Sequence, residues 1–223
     1  MDLVKKLNKN YFKMLIMGAS NSGKSYFLMN TILPLLKKKY DEYCIFTREF
    51  NKREYQHTFR TKMRKEPRIY IGKDNILEKI RKIMNAQREN VKKYDKRGIP
   101  IYHTNILFIF DDIIDEKLFK EPLFMELFFN MRHMQISTIL CAQLTNKAIA
   151  TQMKGNTDFF VMFRIGDMYQ RRFYEEIIGG CLLKCNPELT IPKTKEKARK
   201  IISERIMKIQ YGYVICDNNS NIY

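Results

Sequence analysis

No apolar run in this chain approaches the roughly 18–20 residues that span a bilayer, so membrane insertion is not expected. The opening MDLVKKLNKNYFKMLIMG carries early lysines but only a short apolar stretch, with glycine after it and no small-residue cleavage site. It reads as neither a signal peptide nor an anchor. Glycine and proline are scarce, at 9 and 6 of 223 residues, and no repeat, low-complexity tract or dividing linker is visible. With 45% hydrophobic residues the chain buries enough surface to offset chain entropy, which excludes wholesale disorder and leaves a single domain over residues 1–223 as the expectation. Cysteines number only five, an odd count. Cys44, Cys141 and Cys216 sit in β-like apolar runs, where cysteine packs as a small hydrophobe. Cys181 and Cys185 are spaced C-x3-C, but no second Cys/His pair stands at metal-ligating distance along the chain. A reduced, intracellular protein is expected.

Acid is also short. Against 41 Lys+Arg stand 24 Asp+Glu, a formal net charge of +17. The bases concentrate at 37–39, 48–68, 79–97 and 193–208, between nearly charge-free apolar runs. Basic connectors on an apolar core suit contact with phosphate backbones, which needs positive charge and no base reading. Tyr11, Tyr40, Tyr55 and Tyr70 lie near these bases and are assigned to packing.

Short apolar runs at 12–17, 43–47, 68–71, 105–110, 136–142, 159–164 and 211–216 alternate with helical patterns at 24–40, 75–94, 116–132 and 167–178, the last ending at Gly179-Gly180. Ile76, Ile80, Ile83 and Met84 fall on one helical face. Continuous apolar strands alternating with helices predict an α/β fold, a mostly parallel sheet flanked by helices.

The chemistry begins at Gly18-Ala19-Ser20-Asn21-Ser22-Gly23-Lys24-Ser25, which matches G-x-x-x-x-G-K-[ST] between an apolar strand and a helix that starts KSY, with Tyr26 closing the candidate nucleotide contacts. In such a loop glycines let backbone N–H groups turn inward on phosphate oxygens, and the helix N-terminus adds its dipole. Lys24 would reach the β- and γ-phosphates of ATP, and Ser25 would ligate Mg²⁺. The plainer alternative is a glycine-rich turn with an exposed lysine. In NILFIFDD, 105–112, an apolar strand ends in two acids. Asp111 would hold Mg²⁺ and Asp112 would activate or orient the attacking water, unless either only caps a following helix. Gln143 ends the run ISTILCAQ and could sense the γ-phosphate, or be a turn residue.

Three absences narrow the class. Asn146-Lys147 is followed by Ala148-Ile149, so the carboxylate of a guanine-reading N-K-x-D is missing. No LSGGQ-like stretch is present, which excludes transporter-type ATPases, and no clustered acids outside the candidate ATP site suggest a nuclease. Two strands separate the phosphate loop from the acidic strand, so the acidic strand can lie apart from the loop strand, as in ring-forming motor ATPases.

GASNSGKS, ILFIFDD, MRHMQISTILCAQL and GNTDFFVMFR together resemble the FtsK–HerA superfamily, and more closely the poxvirus-type DNA-packaging ATPases of large DNA viruses and virophages. The most distinctive match is Arg132-His133-x-x-Ile136-Ser137 followed by Gln143. Asn156-x-Asp158 and the late YGYVICDN also fit, and the likeness covers about residues 12–217. It departs at Lys154, where the family usually has Arg. The resemblance implies an ASCE/RecA-like P-loop NTPase that drives double-stranded DNA into a capsid as a homo-oligomeric ring. It also implies a capsid or portal partner and residence in the host cytoplasm, viral factory or virion. A neighbouring subunit's Arg would complete the site, with Arg132, Arg164, Arg171 and Arg172 as candidates. His133 is assigned to structure. The competing readings are a P-loop nucleotide or nucleoside kinase, another DNA-dependent ATPase, and a non-catalytic ATP-binding scaffold.

Overall fold

The computed structural model describes residues 3–9, 11–93, 96–98, 104–113, 116–129, 131–142, 155–164, 168–217 and 221–223. Among them are seven strands: β1 (Lys13–Met17), β2 (Glu42–Thr47), β3 (Arg68–Ile71), β4 (Ile106–Asp111), β5 (Ile136–Ala142), β6 (Phe159–Met162) and β7 (Val214–Asp217). They form one mostly parallel sheet in the order β3-β2-β4-β5-β1-β6-β7, with flanking helices. As the strand count suggested, the acidic strand β4 does not neighbour β1, because β5 intervenes. The chain divides into two compact units, residues 1–12 with 26–139, and residues 13–25 with 140–223.

In the first unit β2 pairs in parallel with β3 and β4, so that Thr47 lies opposite both Ile71 and Asp111. All six residues of β4 are buried, as a strand covered on both faces must be. Phe46 stacks on Tyr70 and Phe110 at centroid distances of 4.8 and 4.9 Å, and Phe124 meets Phe110 edge-on at 5.1 Å. Each fully buried ring of this kind contributes roughly 1.5–3 kcal/mol from lost water contact. The helix Ile76–Val91 buries Ile76, Ile80, Ile83 and Met84, as their spacing predicts, and also Gln87. The Gln87 amide donates to the carbonyls of Thr104 (2.6 Å) and Met134 (2.9 Å), satisfying backbone groups that no strand pairs.

Two helix expectations need correction here. The helix that opens at Lys24 stops at Leu36 and not at Tyr40, and it passes through π-helical turns over Leu28–Ile32. Pro34 explains the widened turn, because it has no N–H to give and its ring crowds the carbonyl four residues back. The expected helix at 116–132 is two helices, Glu116–Lys120 and Pro122–Phe129, followed by a 3-10 turn at Met131–Met134. Pro122 starts the second piece, where its missing N–H costs nothing.

In the second unit β1 is wholly buried and pairs in parallel with β6, Met17 opposite Met162. β7 runs antiparallel to β6, Val214 opposite Met162. The helix Met168–Cys185 packs on the helix Ile191–Ile201 and on β7. The expected stop at Gly179-Gly180 is overturned, since the helix continues to Cys185. Gly179 faces the Thr194 methyl, which lies 3.4 Å from where a Cβ would sit, an ordinary contact. The strand expected at 211–216 begins only at Val214, because residues 209–212 are spent in a turn closed by Gly212 N–H on the Ile209 carbonyl at 2.9 Å. Cys44, Cys141, Cys181 and Cys216 are buried and Cys185 is exposed.

Candidate nucleotide site

In the second unit the chain leaves β1 at Gly18. A Cβ at this residue would fall 2.7 Å from the Phe163 Cβ and from the Ser22 hydroxyl, and 3.2 Å from the Arg164 carbonyl, so only glycine fits. The Ala19 N–H donates to the Arg164 carbonyl at 2.9 Å, tying the start of the loop to the end of β6. Asn21 and Gly23 have φ of 55° and 95°, so the loop curls through left-handed backbone on both sides of Ser22. Ser20 and Asn21 are exposed, whereas Ser22 and Lys24 are buried. Lys24 Nζ donates to the carbonyls of Gly18 (3.1 Å) and Ala19 (2.7 Å), so its ammonium is folded into the loop's own concavity. The Ser22 hydroxyl is buried with no hydrogen-bond partner among the described residues. A tight glycine turn, an ammonium aimed into the loop and an orphaned buried hydroxyl fit an oxyanion ligand. They do not fit the alternative of a turn with an exposed lysine.

The start of β1 is fixed by one residue of its own unit, Asp158. Asp158 accepts from the Lys13 N–H at 2.9 Å and gives its own N–H to the Lys13 carbonyl at 2.9 Å. The Asp of Asn156-x-Asp158 therefore pins the start of the loop strand. Arg164, Arg171 and Arg172 are exposed, and Arg171 lies 3.5 Å from Glu175, which Arg199 also meets at 3.1 Å.

In the first unit Asp111 ends β4 and is fully buried. Its carboxylate accepts from the Tyr55 hydroxyl at 2.9 Å and from the Asn51 amide at 3.3 Å, and Asn51 also reaches the Thr47 hydroxyl at 3.3 Å. Asn51 and Tyr55 are i,i+4 neighbours on the helix Glu49–Thr58, which follows β2 directly. These two positioning residues were not singled out from sequence. Tyr55, assigned to packing, is both packed and bonded to the acid. The signal available was a short helix whose buried face, Asn51, Tyr55 and Thr58, is polar, immediately after a strand predicted to lie in the sheet. Asp112 has φ of 53°, a conformation that costs Asp less than most residues, and its carbonyl accepts from Arg48 Nε at 2.8 Å.

Ser137, within the distinctive Arg132-His133-x-x-Ile136-Ser137 segment, is buried. It accepts from the Phe12 N–H at 2.9 Å and from the Tyr40 hydroxyl at 2.6 Å. Arg132 and His133 are exposed on the 3-10 turn. Gln143, Asn146 to Ile149 and Lys154 lie outside the described residues.

The first unit also carries a cleft of about 640 Å³ beside the edge strand β3, lined by four cations, Lys52, Arg60, Arg64 and Lys65, against one acid, Glu66. In the second unit the helix Ile191–Ile201 exposes Lys193, Lys195, Lys197, Arg199 and Lys200 while burying Thr194 and Ala198. Lys39 is different. It sits over the rings of Phe12, Tyr40 and Tyr11, and burial lowers its pKa to about 8.

Compared with known proteins, residues 3–171 match the family described as Poxvirus A32 protein. The genome packaging NTPase B204 from Sulfolobus turreted icosahedral virus 2, in complex with AMPPCP, is 20% identical with a TM-score of 0.61, and the match covers 96% of each chain. B204 from Sulfolobus turreted icosahedral virus, described as a DNA-packaging ATPase, is 18% identical with a TM-score of 0.63 over 97% of each chain. The cytoplasmic domain of the type VII secretion ATPase EccC from Thermomonospora curvata is 13% identical with a TM-score of 0.57, over 94% of this chain and 24% of that one. No curated protein matches.

Proposed function

This chain belongs to the Poxvirus A32 protein family, and we propose that it is an ATPase motor that translocates double-stranded viral DNA into a capsid. The observation that carries the ATPase part is the loop Gly18–Ser25, with its Lys24 ammonium buried on the loop's own carbonyls and its Ser22 hydroxyl buried without a partner among the described residues. The B204 structures with nucleotide analogues, similar over nearly the whole chain, support placing ATP there.

In this reading the backbone N–H groups from Ser20 to Ser25 take the phosphate oxygens, and Lys24 exchanges its two carbonyl partners for the β- and γ-phosphates. Tyr26 follows at the helix start. Ser25 and Asp111 offer the hard oxygen donors that suit Mg²⁺, which when bound neutralises charge on the phosphates. Asn51 and Tyr55 hold the Asp111 carboxylate in one rotamer, so it need not reorganise. Asp112 orients and deprotonates the attacking water, and Gln143 senses the γ-phosphate.

The Arg that stabilises charge on the transferred phosphoryl is supplied by a neighbour in a homo-oligomeric ring. Exposed Arg132 and Arg164 are the foremost candidates and Arg172 is a third. Arg171 is weakened by its pairing with Glu175. The four-cation cleft and the basic helix Ile191–Ile201 support a DNA partner held through its phosphates. A capsid or portal component is the structural partner, and the host cytoplasm, viral factory or virion is the setting. No helix among the described residues is long and apolar enough to cross a membrane.

Site roles are tested by substitution. Lys24→Ala removes hydrolysis without unfolding the chain. Asp112→Asn retains ATP binding and lowers turnover by about 10²–10⁴-fold, the usual contribution of a general base. Full turnover in Asp112→Asn refutes its role. Mixing Lys24→Ala with the correct Arg variant restores activity, because one supplies the Arg and the other the loop.

A further inference from the structure

One residue beside the phosphate loop is held in a conformation that packing does not explain. The turn Ile209–Gly212 is locked by the Gly212 N–H on the Ile209 carbonyl, and a Cβ on Gly212 would fall 2.1 Å from the Arg205 carbonyl. The third residue of that turn, Tyr211, has φ of 58°. Glycine or asparagine ordinarily fills such a position, because a bulky side chain there crowds its own backbone. Burial of the ring in the core would account for the strain, yet Tyr211 is 60% exposed.

Its contact is with the phosphate loop. The Cβ position of Gly23 lies 3.1 Å from Tyr211 Cδ1 and 3.6 Å from Cγ. The ring therefore rests on the loop backbone one residue before Lys24 and leaves most of its surface to solvent. The sheet register accounts for the meeting: Met162 lies opposite both Met17, which precedes the loop, and Val214, which follows the turn. Tyr213, 40% exposed, extends the aromatic surface toward Phe163, at a centroid distance of 5.4 Å.

Strained and sparsely populated backbone, kept where it gains no core contact, is characteristic of ligand-binding positions. We propose that Tyr211 is the base platform of the nucleotide site, its ring stacking on the purine of the nucleotide whose phosphates occupy Gly18–Ser25. The inference rests on the ATP-site reading and adds the group that recognises the base. Every base offers a π-face, so a platform without base-edge hydrogen bonds discriminates weakly, with purines preferred over pyrimidines through stacking area. Gly23 fits the same account, since a side chain there would push the ring off the loop.

The chain has no tryptophan, so Tyr211→Trp installs the sole indole, which can be excited at wavelengths where the tyrosines do not absorb. The expected result is that ATP changes its emission and inorganic tripolyphosphate, which carries no base, does not. In parallel, Tyr211→Ala weakens ATP binding about tenfold or more, as loss of one base–aromatic stack does. It leaves tripolyphosphate affinity unchanged, and Tyr211→Phe retains wild-type affinity for both. An equal loss for ATP and tripolyphosphate in Tyr211→Ala overturns the proposal, because the ring would then only prop the loop. So does no loss for either, or a loss that follows a change in oligomeric size, which would make Tyr211 a subunit contact. If wild-type protein binds neither ligand, the ATP-site reading itself falls. If it binds both and Tyr211→Ala does not separate them, only the platform falls.

Discussion

Replacing Tyr55 by Phe removes one oxygen and leaves the packed ring in place, which isolates the hydrogen bond to Asp111. That bond is 2.9 Å long and ends on a fully buried carboxylate. Hydrogen bonds to charged groups contribute about 1.5–3 kcal/mol, against about 0.5–1.5 kcal/mol for neutral pairs. The Asn51 amide on the same carboxylate oxygen is at 3.3 Å and cannot compensate fully. Tyr43 provides an internal comparison, since its buried hydroxyl donates to the Leu36 carbonyl at 3.0 Å, a neutral pair. For a chain of this size 1 kcal/mol corresponds to about 2–4 °C in Tm. Tyr55→Phe is therefore expected to lower Tm by about 3–12 °C, and Tyr43→Phe by about 1–6 °C. The assay is thermal unfolding without nucleotide, repeated in an Asp111→Asn background. There the Tyr55 bond becomes neutral, and its removal should cost only as much as the Tyr43 bond. If Tyr55→Phe costs no more than Tyr43→Phe, or costs the same in both backgrounds, Asp111 is not held as argued.

Further outcomes follow from other contacts. Gly18→Ala forces a Cβ to within 2.7 Å of two side-chain atoms, so it should destabilise by about 1–3 kcal/mol by denaturant unfolding and abolish nucleotide binding. In the native protein a thiol-alkylating reagent should modify Cys185 first, as the exposed thiol. Cys44, whose pKa burial pushes up to about 12, should react only on unfolding, and peptide mass mapping distinguishes the two. Burial lowers the pKa of Lys39 from 10.5 to about 8, so between these values the unfolded chain binds a proton that the folded chain has released. This group's contribution to stability therefore rises with pH across that window. Wild-type Tm should gain on that of Lys39→Met between pH 7 and pH 9.5, and a gap that does not change removes the argument.

The parts of the site that were legible in sequence are those where one local segment does the work. Gly18–Ser25 is a continuous stretch whose glycines, lysine and serine are spaced by the loop itself. Asp111 could be read because a charge at the end of a continuous apolar strand has few places to be but the edge of a sheet. The partners of Asp111 come from a different strand and helix. Only the parallel register of β2 on β4 brings Thr47, Asn51 and Tyr55 to it, and no spacing in the chain encodes that register. Gly179-Gly180 misled because glycine near a helix end usually stops it, whereas here the helix runs on to Cys185, packed on the helix Ile191–Ile201. The apolar stretch at 211–216 looked like strand throughout, since alternation of Tyr, Gly and Val does not reveal that Tyr211 takes a positive φ. The fold class survived these local errors because it depends on the alternation of buried strands and helices, which none of them altered.

The central claim, a DNA-coupled ATPase, is tested most directly by phosphate release from ATP with and without double-stranded DNA of unrelated sequences, across a salt series and at rising protein concentration. The account predicts Mg²⁺-dependent release that is stimulated by every DNA to a similar degree. Stimulation should fade steeply with salt, specific activity should rise with protein concentration, and Lys24→Ala should be silent throughout. Release that ignores DNA and concentration, with phosphate instead transferred to a small acceptor, would contradict it and favour a kinase.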